Sequence, residues 1–206
     1  MLRLMLIRHG QTDANYYHFL QGQSNGSLNT TGLHQVEELG KHLKDYPIDQ
    51  IFSSTLNRAQ ATAAAIAKHH HLEVKTTPLI MEWNCGILDG ITADEFRKKL
   101  QEAKVPLSLF RPEGGETLLE VRNRAADFLS DLTTNYQGQT VCVCSHGDFM
   151  RILLSLLQQV GPEATSEIYF DNASYTILEL EDGKWNMVVF NQAPWKSHLP
   201  ASEQVR

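Results

Sequence analysis

Two stretches of this chain end in histidine followed by glycine: Leu6-Ile-Arg8-His9-Gly10-Gln11-Thr12 and Val143-Cys-Ser145-His146-Gly147. Each follows an apolar, β-rich run, so each puts an imidazole at a strand end, and the glycine lets backbone come close to a ligand. Ligands of open α/β sheets bind outside the carboxyl ends of the strands. One such histidine is ordinarily a packed or surface residue; two, with Arg8 abutting the first, point to a site. Arg58, in Phe52-Ser-Ser-Thr-Leu-Asn-Arg58-Ala-Gln-Ala-Thr62-Ala63, falls near the first turn of a helix. A cation is slightly unfavourable there beside the helix dipole, and a bound anion resolves the conflict. Taken alone, Arg58 reads as a solvated helix charge. Arg8, Arg58 and the two histidines around one point would suit a phosphoryl dianion, whose oxygens match guanidinium forks. Glu82, in Leu79-Ile-Met-Glu82-Trp-Asn-Cys85-Gly86-Ile-Leu88-Asp-Gly90, reads equally as an exposed loop carboxylate or as an acid facing a phosphate, where it would suit proton transfer.

Such residues need a scaffold, and strand and helix signals alternate along the chain. Leu2–Ile7 reads as a buried strand, and Thr30–Lys44 as a helix with Leu33, Val36, Leu39 and Leu43 on one face. Gln50–Phe52 reads as a short strand, residues 56–70 as an Ala-rich helix, Leu72–Lys75 as extended and Thr92–Gln101 as helical. Glu116–Leu132 is the clearest helix, because Leu118, Val121, Ala125, Phe128 and Leu132 make an amphipathic stripe. Thr140–Cys144 is a β-rich run and Phe149–Gln158 an apolar helix. Tyr175–Leu180 and Trp185–Phe190 flank Glu181-Asp-Gly-Lys184, a hairpin signal. The pattern predicts a three-layer α/β/α sandwich with a mostly parallel sheet and an antiparallel edge hairpin. One domain over 1–206 is expected, with its core at about 2–190. The segment 97–115 is the least regular part and a candidate lid, and the tail from Pro194 is expected to be loosely ordered.

Composition narrows the function classes. The 206 residues are 42% hydrophobic and 20% charged, which supports a real core and excludes a disordered or fibrous chain. Eighteen Lys and Arg against 24 Asp and Glu give a net charge of −6, without the basic footprint of a general nucleic-acid binder. No apolar run is long enough to span a membrane, and the opening Met1–Ile7 is too short for a signal core, so a cytoplasmic protein is expected. Cys85, Cys142 and Cys144 are too few for a disulfide framework. Cys142 and Cys144, in a strand-like run, are expected as buried thiols on opposite faces of a sheet. His69-His70-His71 cannot chelate one ion well, because helical neighbours point about 100° apart. Arg97-Lys98-Lys99 reads as a solvated helix face that could rim a pocket.

Arg8-His9-Gly10-x-Thr12, Arg58-Ala59 before Thr62-Ala63, Glu82 with Gly86 and Gly90, Gly114-Gly-Glu-Thr117 and Ser145-His146-Gly147 together resemble the histidine phosphatase superfamily, the phosphoglycerate-mutase-like group. The resemblance runs in order from residue 2 to about 190. Phe110-Arg-Pro-Glu-Gly-Gly-Glu-Thr-Leu118 and Ser145-His-Gly-Asp-Phe-Met-Arg151 are most similar to the TIGAR-type sugar bisphosphatase branch. The resemblance implies that His9 takes the phosphoryl group as phosphohistidine, that Arg8, Arg58 and His146 hold its oxygens, and that Glu82 protonates the leaving alkoxide and then helps activate water. It also implies that Asn15, Gln21, Gly22 and Gly147 lie at the phosphate or substrate, that the partner is a small phosphorylated metabolite, and that no metal or other cofactor is needed. The expected activity is metal-independent hydrolysis of sugar bisphosphates or phosphoglycerate-like phosphomonoesters. A mutase is the first alternative, disfavoured because 31 positions separate Glu82 from Glu113 and no Arg-Arg pair lies between them. A catalytically weak phospho-ligand-binding module is the second. Asn25, Cys85 and Leu88 depart from common family residues and are expected at the pocket wall, where they would affect substrate preference. Oligomeric state is left open.

Overall fold

The computed structural model describes residues 1–198. In chain order its main elements are β1 (Leu2–Arg8), α1 (Asp13–Tyr16), α2 (Thr30–Leu43), β2 (Gln50–Ser54), α3 (Asn57–His70), β3 (Val74–Thr77), α4 (Ala93–Ala103), α5 (Leu118–Asn135), β4 (Thr140–Ser145), α6 (Gly147–Leu157), β5 (Tyr175–Glu181) and β6 (Lys184–Gln192). The strands form one sheet in the order β3-β2-β4-β1-β5-β6. β1, β2, β3 and β4 pair in parallel, and β5 and β6 add antiparallel.

Strand period two sorts the apolar side chains into two cores, because successive residues point to opposite faces. Leu2, Leu4 and Leu6 of β1 and Val141 and Val143 of β4 pack with α5 and α6. Met5 and Ile7 of β1 and Cys142 and Cys144 of β4 pack with α2 and α3. The result is the expected three-layer sandwich. The two thiols share a face, contrary to the expectation, because residues two apart on a strand point the same way. The α5 stripe is fully inside, from Leu118 to Leu132, and the Thr117–Glu120 capping box starts that helix. Truncating Phe128 to alanine would cost about 3–5 kcal/mol in a core of this kind.

Other expectations are corrected at element edges. Leu33 is 56% exposed, and α2 buries Gly32, Gln35 and Gly40 beside Val36, Leu39 and Leu43. Its small residues allow close approach to neighbouring backbone, which apolar periodicity does not register. The four-residue α1 has a Thr12–Asn15 capping box but no buried residue, hence no hydrophobic signal. Arg97–Ala103 is helical rather than irregular, as the end of α4. The chain from Pro194 is not loose at its start: Pro194–His198 forms a 3₁₀ turn, and Trp195 Nε1 donates to Asn172 O at 2.8 Å. The rest of that tail lies outside the described residues. Among the described residues no helix is long and apolar enough to cross a membrane.

Candidate active site

The carboxyl ends of β1, β4 and β2 are neighbours in the sheet, and the site grows from them. Arg8 pairs in register with Ser145, so the residues that follow, His9 and His146, emerge side by side with ring centroids 5.1 Å apart. Gly10 then turns the chain against α2. A Cβ there would lie 2.7 Å from Val36 Cγ1 and 2.8 Å from Gly32 O, too close for any side chain.

His9 is 3% exposed and His146 is fully buried. His9 Nδ1 lies 2.7 Å from Gly10 O. A carbonyl oxygen can only accept, so Nδ1 carries the proton and Nε2 presents its lone pair. That lone pair accepts from Arg58 Nε at 3.3 Å. Burial, reinforced by Arg58 and Arg8, holds His9 well below the usual histidine range, which keeps the ring neutral. Burial lowers His146 in the same way, followed by Arg58 and the neighbouring His9. His146 Nε2 lies 2.8 Å from Ser54 Oγ, at the end of β2.

The cations are held by main chain. Arg58, 1% exposed at the start of α3, donates to Ser24 O at 2.8 Å and Gly22 O at 2.7 Å. Arg8 donates through Nη1 to Phe170 O. Among the described residues, Arg8 Nε and His146 Nδ1 are buried without a hydrogen-bond partner. Unpaired buried polar groups are costly, so two of them at one locus mark where a ligand completes the site.

Glu82 is 6% exposed and serves as the missing cap of α6. That helix has no side-chain cap of its own. Glu82 Oε1 accepts from Phe149 N and Trp83 N, both at 3.0 Å, and Oε2 from Asp148 N at 3.2 Å. The free N–H groups of that helix end hold the carboxyl group in place. A Cβ on Gly147 would lie 3.6 Å from Arg8 Nε and 4.0 Å from Glu82 Oε2. The glycine therefore leaves open ground between cation and acid.

A cleft of about 180 Å³ opens over these groups, and Arg8, His9, Asn15, Gln21, Glu82 and Gly147 line it. Arg58 and His146 are buried and do not line the cleft. Gly22 is set back too: its carbonyl anchors Arg58, and a Cβ on it would meet Cys85 Sγ at 2.4 Å. The three departures are not wall residues as expected. Asn25 Oδ1 caps α3 by accepting from Asn57 N at 2.8 Å, while Cys85 and Leu88 are buried in the core.

Several contributors went unseen in the sequence. Arg151 lines the cleft and pairs with Asp148. It lies four residues after Gly147, and that helical spacing could have revealed it. Asn172 Nδ2 donates to His9 O and Asn15 Oδ1, both at 3.0 Å. Thr62 Oγ1 accepts from Gly10 N at 3.1 Å. Arg124 donates to the carbonyls of Leu79, Met81 and Glu82 and to Glu116, clamping the segment that carries the acid. Among the described residues no group of three His, Cys, Asp or Glu is arranged to hold a metal ion.

Two histidines and Arg8 at the ends of parallel strands, with Arg58 at the start of α3 and Glu82 across the cleft, make a site whose charge and geometry suit a phosphoryl group. The chain belongs to the Histidine phosphatase superfamily (branch 1), whose profile matches residues 4–193, and it is a phosphatase-type hydrolase. It is 32% identical over 187 residues to Phosphoserine phosphatase 1 of Hydrogenobacter thermophilus, covering 88% of each chain. It is 35% identical over 131 residues to Probable fructose-2,6-bisphosphatase TIGAR A of Danio rerio, covering 61% of this chain and 51% of that one. The solved structure of Bacillus stearothermophilus YhfR superposes with a TM-score of 0.84 at 26% identity, covering 93% of this chain and 98% of that one.

Proposed function

We propose that this protein hydrolyses small phosphomonoesters without a metal ion, through a phosphohistidine on His9. The observation that carries this reading is the fixed tautomer of His9: Nδ1–H is tied to Gly10 O, and the neutral Nε2 lies 3.3 Å from Arg58 Nε. In the first step the Nε2 lone pair attacks phosphorus, the N–P bond forms and the ester P–O bond breaks. Glu82 gives its proton to the departing alkoxide. In the second step Glu82 takes a proton from water, the water oxygen attacks phosphorus and the N–P bond breaks. The balance is ester plus water to alcohol plus inorganic phosphate. Splitting the reaction lowers each barrier, and Arg8, Arg58 and His146 stabilise charge on the transferring group.

Ser54 Oγ already accepts from Leu56 N at 3.2 Å, which leaves its own proton for His146 Nε2. His146 Nδ1–H is then a free donor for a phosphoryl oxygen. Arg151, whose charge Asp148 already balances, still brings guanidinium N–H donors to the cleft, which suits substrates with another anionic group, such as sugar bisphosphates or phosphoglycerate-like metabolites.

Release of inorganic phosphate is measured in EDTA, with a rapid quench to trap the intermediate. Turnover should persist under chelation, with an acid-labile, alkali-stable label on the wild type. His9→Ala should lose both label and turnover while keeping its fold. Activity that vanishes in EDTA and returns with Mg²⁺, or a label on another residue, would refute the proposal.

A further inference from the structure

Beside the phosphate cleft lies a wider hollow of about 670 Å³. The two share Arg8, Asn15, Phe19, Leu20 and Tyr169, so a molecule phosphorylated over His9 can extend from one into the other. The hollow is walled by rings. Tyr16, Phe19 and Tyr169 are 61%, 42% and 62% exposed, and Phe96 of α4 and Trp195 complete the enclosure. Large rings gathered in water around one opening mark a ligand surface rather than scattered surface residues. The Tyr169 ring also lies 5.5 Å from Arg8 Cζ, which joins the aromatic wall to the phosphate-binding cation.

The polar side chains decide which chemistry fits. Gln11 Oε1 already accepts from Asn29 Nδ2 at 3.1 Å, and Gln35 Oε1 from Gln11 N at 2.9 Å. Asn15 Oδ1 accepts from Thr12 N at 3.2 Å and Asn172 Nδ2 at 3.0 Å. Each of these oxygens already holds a partner, the Asp171 carboxylate is paired with Lys196 and Asn191, and the accessible wall of the hollow is mostly apolar, which leaves few acceptors for the hydroxyl protons of a sugar ring. A flat apolar ring needs none.

We propose that this hollow receives a planar aromatic ring carried by the alcohol part of the substrate, which adds aryl-bearing phosphomonoesters to the substrates of the site. The inference rests on the phosphatase reading above. Its test compares kcat/KM for 2-phenylethyl phosphate, ethyl phosphate and glucose 6-phosphate. The first two release alkoxides of similar basicity, so their ratio reports the ring. The phenyl compound should exceed ethyl phosphate by roughly tenfold or more, the size expected of ring stacking and burial. Glucose 6-phosphate should not share the gain. The double variant Tyr16→Ala, Phe19→Ala removes two exposed rings and should bring the ratio close to one. Because the readout is a ratio, any general loss of activity cancels. A wild-type ratio near one, an equal gain for glucose 6-phosphate, or a ratio untouched by the double variant overturns the inference. Calorimetric binding of 2-phenylethylphosphonate and ethylphosphonate separates the two readings. Roughly tenfold tighter binding of the aryl compound without turnover of any ester keeps the hollow and removes the phosphatase reading, whereas equal affinities remove the hollow.

Discussion

At the scale of single residues, Glu82 has two duties that the sequence could not separate. Its carboxylate closes the N-terminus of α6, and its Oε2, bonded only once and at 3.2 Å, is the oxygen nearer to open ground beside Gly147. Glu82→Gln keeps the size of the side chain but removes the exchangeable acid. Turnover should fall by about 10²–10⁴-fold for alkyl phosphates, whose alkoxides need a proton to leave. For p-nitrophenyl phosphate the loss in the first step should be much smaller. Single-turnover transfer to His9, timed separately from steady state, makes the comparison, because the proposed mechanism also has Glu82 act on water in the second step. Equal losses for both esters in the first step would move the acid role elsewhere, with His146 the next residue to vary. His9 shows how tightly one side chain can be set: a carbonyl on one nitrogen and a guanidinium on the other leave a single tautomer.

At the scale of elements, both helices that point at the site are capped from a distance. Asn25 closes α3 and Glu82 closes α6, so loops far apart in the chain are locked to the helix ends that carry Arg58 and Gly147. Arg124 extends this logic from α5, reaching the main-chain oxygens of Leu79, Met81 and Glu82 and the Glu116 carboxylate, with only 14% of its side chain exposed. Arg124→Met retains bulk but strands those acceptors. It should destabilise the fold by about 3 kcal/mol in urea unfolding. It should also lower kcat more than it raises KM, since it loosens the proposed acid without touching the arginines proposed to bind phosphate. A loss confined to stability, with kcat intact at temperatures where the variant is folded, would mean that Arg124 does not position Glu82.

At the scale of the whole molecule, two neutral imidazoles are buried at the strand ends, and that makes stability depend on pH. Both His9 and His146 are held well below 6.5 in the folded protein, whereas in the unfolded chain they titrate near that value. Below it the unfolded state binds more protons, so stability is fully present above about pH 6.5 and declines as pH falls towards the folded values. Each histidine should contribute a loss of about 1.4 kcal/mol per pH unit in that window. Urea midpoints from pH 7.5 to 5 should show the fall, and His146→Gln should flatten the slope; a flat wild-type profile would contradict buried neutral histidines. Much of this was readable in the residues themselves. Apolar periodicity delivered α5, the alternation of signals delivered the layers, and the two histidine–glycine ends delivered the centre of the site, because each is a local pattern of one strand or helix. Leu33, the order of the tail at Trp195, and the contributions of Arg124, Asn172 and Thr62 were not readable. Their positions depend on contacts across the fold: Asn172 reaches back to His9 and Asn15, and Arg124 reaches the carbonyls around Glu82. The sequence by itself determined which side chains could meet a phosphate. Only the tertiary structure decided which of them line the cleft and which are buried away from it, because that choice is made by strand register and by backbone carbonyls that no residue type announces.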